Sequence, residues 1–93
     1  MSGGDWKQMF KAIQENDIEL VSYYLQSGID PNYQHPEYMA LPLSESIRYN
    51  HKNIAQLLVK SGAETSIIEM ESGLTAFDLA EKMGRSNFLN IGN

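Results

Sequence analysis

Apolar side chains recur along this chain at helical spacing, in short bursts set apart by turn residues. Between positions 41 and 64, Pro42 fits the first position of a helix, where its missing N–H is no loss, and Leu43, Ser46 and Ile47 follow on one face. Asn50 suits the left-handed residue that ends a short helix. A second helix then carries Ile54, Leu57 and Leu58 at i, i+3 and i+4 and stops at Gly62. Both are shorter than the roughly 12–15 residues at which an isolated helix becomes even marginal in water, so packing must hold them.

Sliding the sequence along itself until Met9 lies on Leu43 and Leu43 on Phe77 brings copies of this unit into line. In the same alignment Ala12, Ser46 and Ala80 coincide, as do Asn16, Asn50 and Gly84. The second helix repeats too: Leu20, Ile54 and Phe88, then Val21, Ala55 and Leu89, with Leu25 on Val59 and the terminators Gly28 and Gly62 together. A helix, tight turn, helix and Gly-ended return at a period in the thirties is the signature of a repeat array.

The residues resemble the ankyrin repeat. Leu41-Pro42-Leu43-Ser44, Asn50-His51 and the run Leu57-Leu58-Val59-Lys60-Ser61-Gly62-Ala63-Glu64 are similar to that family's T-P-L-H, G-H and L-L-L-x-x-G-A-D. Gly73-Leu74-Thr75-Ala76-Phe77-Asp78-Leu79-Ala80 is similar to G-x-T-P-L-H-x-A, and Gly28-Ile29-Asp30-Pro31-Asn32 to G-A-D-V-N. The His slot of T-P-L-H holds Phe10, Ser44 and Asp78, and each unit is one residue longer than the usual length of about 33, the addition falling where the family places a β-hairpin. The resemblance implies an all-α repeat, an ankyrin-like α-solenoid of helix-turn-helix units joined by β-hairpin or turn fingers. The expected divisions are a flexible tail over 1–4 and a single domain over 5–93, with repeats near 5–38, 39–72 and 73–93, the last truncated.

Along the chain, Asp5 is placed to cap a helix reaching about Glu15, with Met9, Phe10, Ala12 and Ile13 inward. Trp6, near its start, either lies over the first repeat's core or anchors a partner. Of Tyr23 and Tyr24, one should face the core. The first finger, 33–40, is rich in aromatic residues for a turn: either its side chains serve a partner, or Tyr33 and Met39 fold back and only Glu37 and Tyr38 project. The second, 66–74, alternates Glu69, Met70 and Glu71, so as a strand it would show both carboxylates on one solvated side. Thr75 is placed to cap the last unit's first helix, with Asp78 three residues on. At the end of the chain, Phe88, Leu89 and Ile91 either turn inward or form an apolar face open to a second copy or a partner.

Composition narrows the chemistry. Ninety-three residues make one domain of modest stability. The absence of Cys removes disulfides and thiol chemistry, no apolar run approaches the roughly 18 residues of a membrane span, and no signal-peptide core precedes the first helix, so cytoplasmic residence is expected. A net charge of −5 argues against nucleic acid as the ligand and favours a neutral or basic protein surface. His35 and His51 share no ligand spacing with a carboxylate, so no metal is expected, and no other cofactor. With no catalytic grouping or phosphate loop in view, an enzyme is the least favoured class.

The family resemblance implies that partners bind along the first helices and the fingers beside them. Its variable positions fall on Trp6, Gln14 and Glu15; on Glu37, Tyr38, Ala40, Arg48 and Tyr49; and on Glu71, Ser72, Leu74, Lys82 and Met83. Tyr38, Arg48 and Tyr49 form the expected centre, because Tyr and Arg combine large contact area with a polar handle; the alternatives are ordinary surface variation and a Glu37–Arg48 pair. The expected function is a non-catalytic protein-binding module. The alternatives are a dimer through Phe88, Leu89 and Ile91, and an inhibitor or immunity-type protein that blocks a toxin or enzyme.

Overall fold

A computed structural model of the protein describes residues 3–90. Over them the chain forms three helical pairs. These are α1 (Gly3–Gln14) with α2 (Ile18–Gln26), α3 (Pro42–Arg48) with α4 (Lys52–Lys60), and α5 (Ala76–Lys82) with a short 3₁₀ helix (Ser86–Leu89). The first members pack α1 on α3 on α5, and the second members pack α2 on α4 on the 3₁₀ helix, giving two layers. This is the all-α repeat that the sequence period predicts. Its core is the set of inward apolar positions, with Met9, Ile13, Val21, Leu43, Ile47, Ile54 and Leu58 all buried. Tyr24 packs on that core and Tyr23 stands in solvent.

The turns repeat as closely as the helices. Asn16, Asn50 and Gly84 have φ of 62°, 67° and 71°, the left-handed state tolerated by Asn and Gly. Behind each, the same bond closes the helix end: Asp17, His51 and Arg85 donate their N–H to the carbonyls of Ala12, Ser46 and Ala80 at 2.9, 2.9 and 2.7 Å. Asp17 caps α2 by accepting the Leu20 N–H, and Thr75 caps α5 by accepting the Asp78 N–H.

Several expectations are corrected. The first helix begins at Gly3, ahead of Asp5, so half of the expected tail is helical; Met1 and Ser2 lie outside the described residues. Of the two finger geometries expected, hairpin or turn, the fingers take the turn. Among the described residues the one β-type pairing is the isolated bridge between Ile68 and Thr75, and each finger is instead a compact turn. In finger 1, Tyr38 and Met39 donate N–H to the His35 carbonyl; in finger 2, Gly73 does so to Glu69, at the same register. Met39 and Gly73 both have positive φ, 52° and 73°, a conformation that suits Gly and strains Met. Phe88 is buried and Leu89 packs on the core, so neither presents an apolar face to a second copy; Ile91 lies outside the described residues.

The two fingers are laced together. Gln34 Nε2 donates to the Ile68 carbonyl while its Oε1 accepts the Met70 N–H, both at 2.9 Å, and the Glu71 N–H reaches the Met39 carbonyl at 2.8 Å. Asn32 likewise spans the Gly62 carbonyl and the Glu64 N–H. These bonds fix finger 2 relative to finger 1 and so shape the surface between them and the inner helices.

Candidate partner-binding groove

Lys7, Gln8, Lys11 and Gln14 project from α1, and Glu15 from the turn after it, on the side facing the fingers, because helical spacing sets them around Phe10 while Met9, Ala12 and Ile13 point to the core. Beside them α3 contributes Glu45 and Arg48, finger 1 Tyr38 and Ala40, and finger 2 Glu71 and Ser72. The result is two adjoining hollows of about 440 and 480 Å³ that share Phe10 and Tyr38. Together they make one groove along the inner layer.

An aromatic cluster forms the finger-side wall. Trp6 stacks on Phe10 at 4.7 Å and 19°, and pairs with His35 at 5.2 Å and with Tyr38 at 5.6 Å; Tyr33 meets it edge-on at 5.9 Å and 85°. Trp6 is fully buried beneath these rings. It is therefore not available as a partner anchor, and it covers the first repeat's core instead, since the aromatic residues of finger 1 fold down over it. Tyr38 leans on Trp6 and Phe10 yet keeps 38% of its surface exposed at the centre of the groove.

Two ionic arrangements frame the groove. At its rim Lys7 Nζ lies 3.1 Å from Glu37 Oε2. The hydrogen bond and the charge of Lys7 hold the Glu37 carboxyl below its ordinary range. Deeper in, Arg48 Nη1 and Nη2 donate to Glu69 Oε1 and Oε2 at 3.1 and 2.8 Å, a bidentate pair, while Nε and Nη2 donate to Glu45 Oε1. Burial by itself would lower the Arg48 pKa, but these carboxylates outweigh it and hold the guanidinium charged. Glu69 has no exposed surface, and its Oε2 also accepts the Leu41 N–H at 3.0 Å, just ahead of α3, which has no side-chain cap. The expected solvated pair of glutamates is thus split, with Glu69 buried and Glu71 exposed. The expected Glu37–Arg48 pair is replaced by Lys7–Glu37 and Arg48–Glu45–Glu69.

Of the residues expected to bind a partner, Glu15, Tyr38, Arg48 and Glu71 meet in the groove, and Glu37 stands at its rim. Leu74 packs on the core. Tyr49, Lys82 and Met83 are exposed but line neither hollow; Tyr49 lies at the end of α3 beside the His51 ring, so it does not join Tyr38 and Arg48. Lys7, Lys11 and Glu45 are groove residues that the family's variable positions omit, although Lys7, Lys11 and Gln14 at i, i+4 and i+7 already mark one polar stripe of α1.

Among the described residues no group of three His, Cys, Asp or Glu is placed to hold a metal ion, and no helix is long and apolar enough to cross a membrane.

A family profile described as ankyrin repeats, in three copies, matches residues 9–91. The chain is 32% identical over 76 residues to the human 2-5A-dependent ribonuclease, covering 82% of this chain and 10% of that protein. It is 24% identical over 74 residues to the ARF GTPase-activating protein Git of Drosophila melanogaster, again 10% of the relative's length and 80% of this chain. To a protein of Rickettsia bellii (strain RML369-C) named for its ankyrin repeats it is 30% identical over 86 residues, 91% of this chain and 31% of that protein. The chain thus spans from a tenth to about a third of the length of these relatives. With the profile laid over three stacked helix pairs that share one register, the chain belongs to the ankyrin repeat family.

Proposed function

We propose that this protein is a non-catalytic binding module in the cytoplasm and that a partner protein seats in the groove along α1, α3 and the fingers. Ankyrin repeats generally mediate protein–protein interaction. The observation that supports this site is the continuous hollow on the inner layer with Tyr38 half-exposed at its centre, an amphipathic ring set among charges of both signs. Ribonuclease and GTPase-activating are words in the names of relatives in which the match covers 10% of the length; in this reading the present chain supplies binding alone.

The test compares two exposed lysines that make no ion pair among the described residues: Lys11 in the groove and Lys60 at the end of α4, in the outer layer. Lys11→Glu and Lys60→Glu change the net charge equally and should each leave the melting temperature nearly unchanged. A partner captured by the wild-type protein should be lost with Lys11→Glu and kept with Lys60→Glu. Equal capture by both variants, or loss with Lys60→Glu alone, places the interface elsewhere.

A further inference from the structure

We infer that the hollow between α3 and finger 2 receives an arginine side chain from the partner, an inference that rests on the groove being the binding face. Its lining is Phe10, Tyr38, Ala40, Glu45, Arg48, Glu71 and Ser72. Arg48 is the only cation among them, and it is already engaged by Glu45 and by Glu69 beneath it. Counting Glu71, which lines the hollow, and Glu69 beneath it, the local charges are three carboxylates and one guanidinium, a balance of −2. An anionic group entering here meets repulsion, and an aliphatic one leaves these charges uncompensated.

The repeat register adds a comparison. Glu71 stands one full repeat after Glu37, at the same place in its finger. Glu37 has Lys7 as its cation at 3.1 Å. One full repeat after Lys7 comes Leu41, which is buried and cannot supply one. Glu71 is exposed, and among the described residues its carboxylate has neither an ion pair nor a hydrogen bond. The partner's arginine fills at Glu71 the role that Lys7 fills at Glu37.

The choice of arginine follows from the other wall. The half-exposed Tyr38 offers ring surface within the same hollow, backed by the buried Phe10, and a guanidinium both stacks on such a ring and presents a planar fork to a carboxylate. An ammonium can do only part of this, so lysine binds more weakly. The net charge of −5 adds a long-range field of the matching sign.

The experiment is an NMR titration of the isotope-labelled protein with Nα-acetyl-arginine methylamide, run beside the norleucine analogue. The arginine probe should give saturable shifts at Phe10, Tyr38, Glu71 and Ser72, and the norleucine probe none there. Glu71→Gln should weaken arginine binding by roughly fivefold, while Glu64→Gln, an exposed carboxylate outside the hollow, should leave it unchanged. Equal shifts with norleucine, no shifts with arginine, or arginine binding indifferent to Glu71→Gln overturns the inference. Any of these found beside a partner still lost on Lys11→Glu discards the arginine pocket and leaves the groove reading intact. Indifference of partner capture to Lys11→Glu discards that reading itself.

Discussion

Removing the Glu69 carboxylate should destabilise the protein more than removing any other finger side chain. Glu69 is fully buried, accepts two hydrogen bonds from Arg48, and accepts the Leu41 N–H that opens α3. Glu69→Ala orphans that N–H, at about 1–3 kcal/mol, and strips one of two carboxylates from a half-buried guanidinium. Breaking a fully buried pair costs about 3–5 kcal/mol. Here Arg48 keeps Glu45 and 30% of its side-chain surface, so a combined loss of about 2–4 kcal/mol is expected. A domain of this size has roughly 5–14 kcal/mol in all, so the melting temperature should fall by roughly 10–25 °C. Urea unfolding followed by circular dichroism measures the change. A double-mutant cycle with Arg48→Met isolates the pair, which should show coupling of about 1–3 kcal/mol. A loss below about 1 kcal/mol for Glu69→Ala, or additive single variants, would refute the claim that this carboxylate pins finger 2 to α3.

Four further outcomes follow from the same geometry. Trp6→Ala should cost about 3–5 kcal/mol in urea unfolding, and wild-type Trp6 fluorescence should be blue-shifted and resist iodide quenching, because the indole has no exposed surface. Leu43→Ala should cost about 2–5 kcal/mol, whereas Phe77→Ala at the equivalent repeat position, half-exposed, should cost well under half as much by the same measurement. Met39→Gly should be neutral or stabilising by up to about 1 kcal/mol in thermal unfolding, since it relieves a left-handed Met. The pH dependence has a definite sign. Folding holds the Glu37 carboxyl below its ordinary 4.5, so its small contribution is complete above that value and disappears as the pH falls through the lowered one. Lys7→Gln should accordingly flatten the fall in stability between about pH 6 and pH 3, and an unchanged slope would count against the pair.

Much of this fold can be read from the sequence because it is carried by local patterns. The helical spacing of Leu43, Ile47, Ile54 and Leu58, and the alignment of Asn16, Asn50 and Gly84, are properties of single turns, and the period multiplies them. The fingers share the backbone register but lack the repeated apolar pattern, so the residues that depart from expectation cluster there or against them. Strand alternation puts Glu69 with Glu71 in solvent, but no ladder forms, and the side of the finger on which Glu69 lies is decided by Arg48, 21 residues earlier. Trp6 is open to two readings in the sequence because its burial depends on Tyr33, His35 and Tyr38 folding back from a finger of no fixed geometry. The family's variable positions do locate Glu15, Tyr38, Arg48 and Glu71 in the groove. They miss Phe10, whose position on the core face of α1 hides the fact that it floors both hollows.

The register also separates surface that exists by position from surface that exists by chemistry. His51 Nε2 lies 3.0 Å from the Gln14 carbonyl, and at the matching position of the next repeat Arg85 Nη1 donates to the carbonyls of Ile47 and Arg48 at 2.7 and 3.2 Å. A carbonyl only accepts, so His51 must carry its proton on Nε2 for this contact. The same slot thus ties each repeat to the last turn of the preceding inner helix. In the first repeat that slot is Asp17, whose carboxylate has no proton to donate and caps its own helix instead. Met9 and Leu43 are buried because a repeat packs over each; Phe77, in the same register, is 51% exposed among the described residues. That exposure follows from the absence of a further helix pair over it among the described residues, and says nothing about a ligand. Glu71 differs: its counterpart Glu37 is exposed too, and what changes between them is the cation, present as Lys7 in one case and replaced by Leu41 in the other. That difference is one that stacking order does not explain; it lies in the hollow that Tyr38 also lines, and the proposed arginine site rests on it.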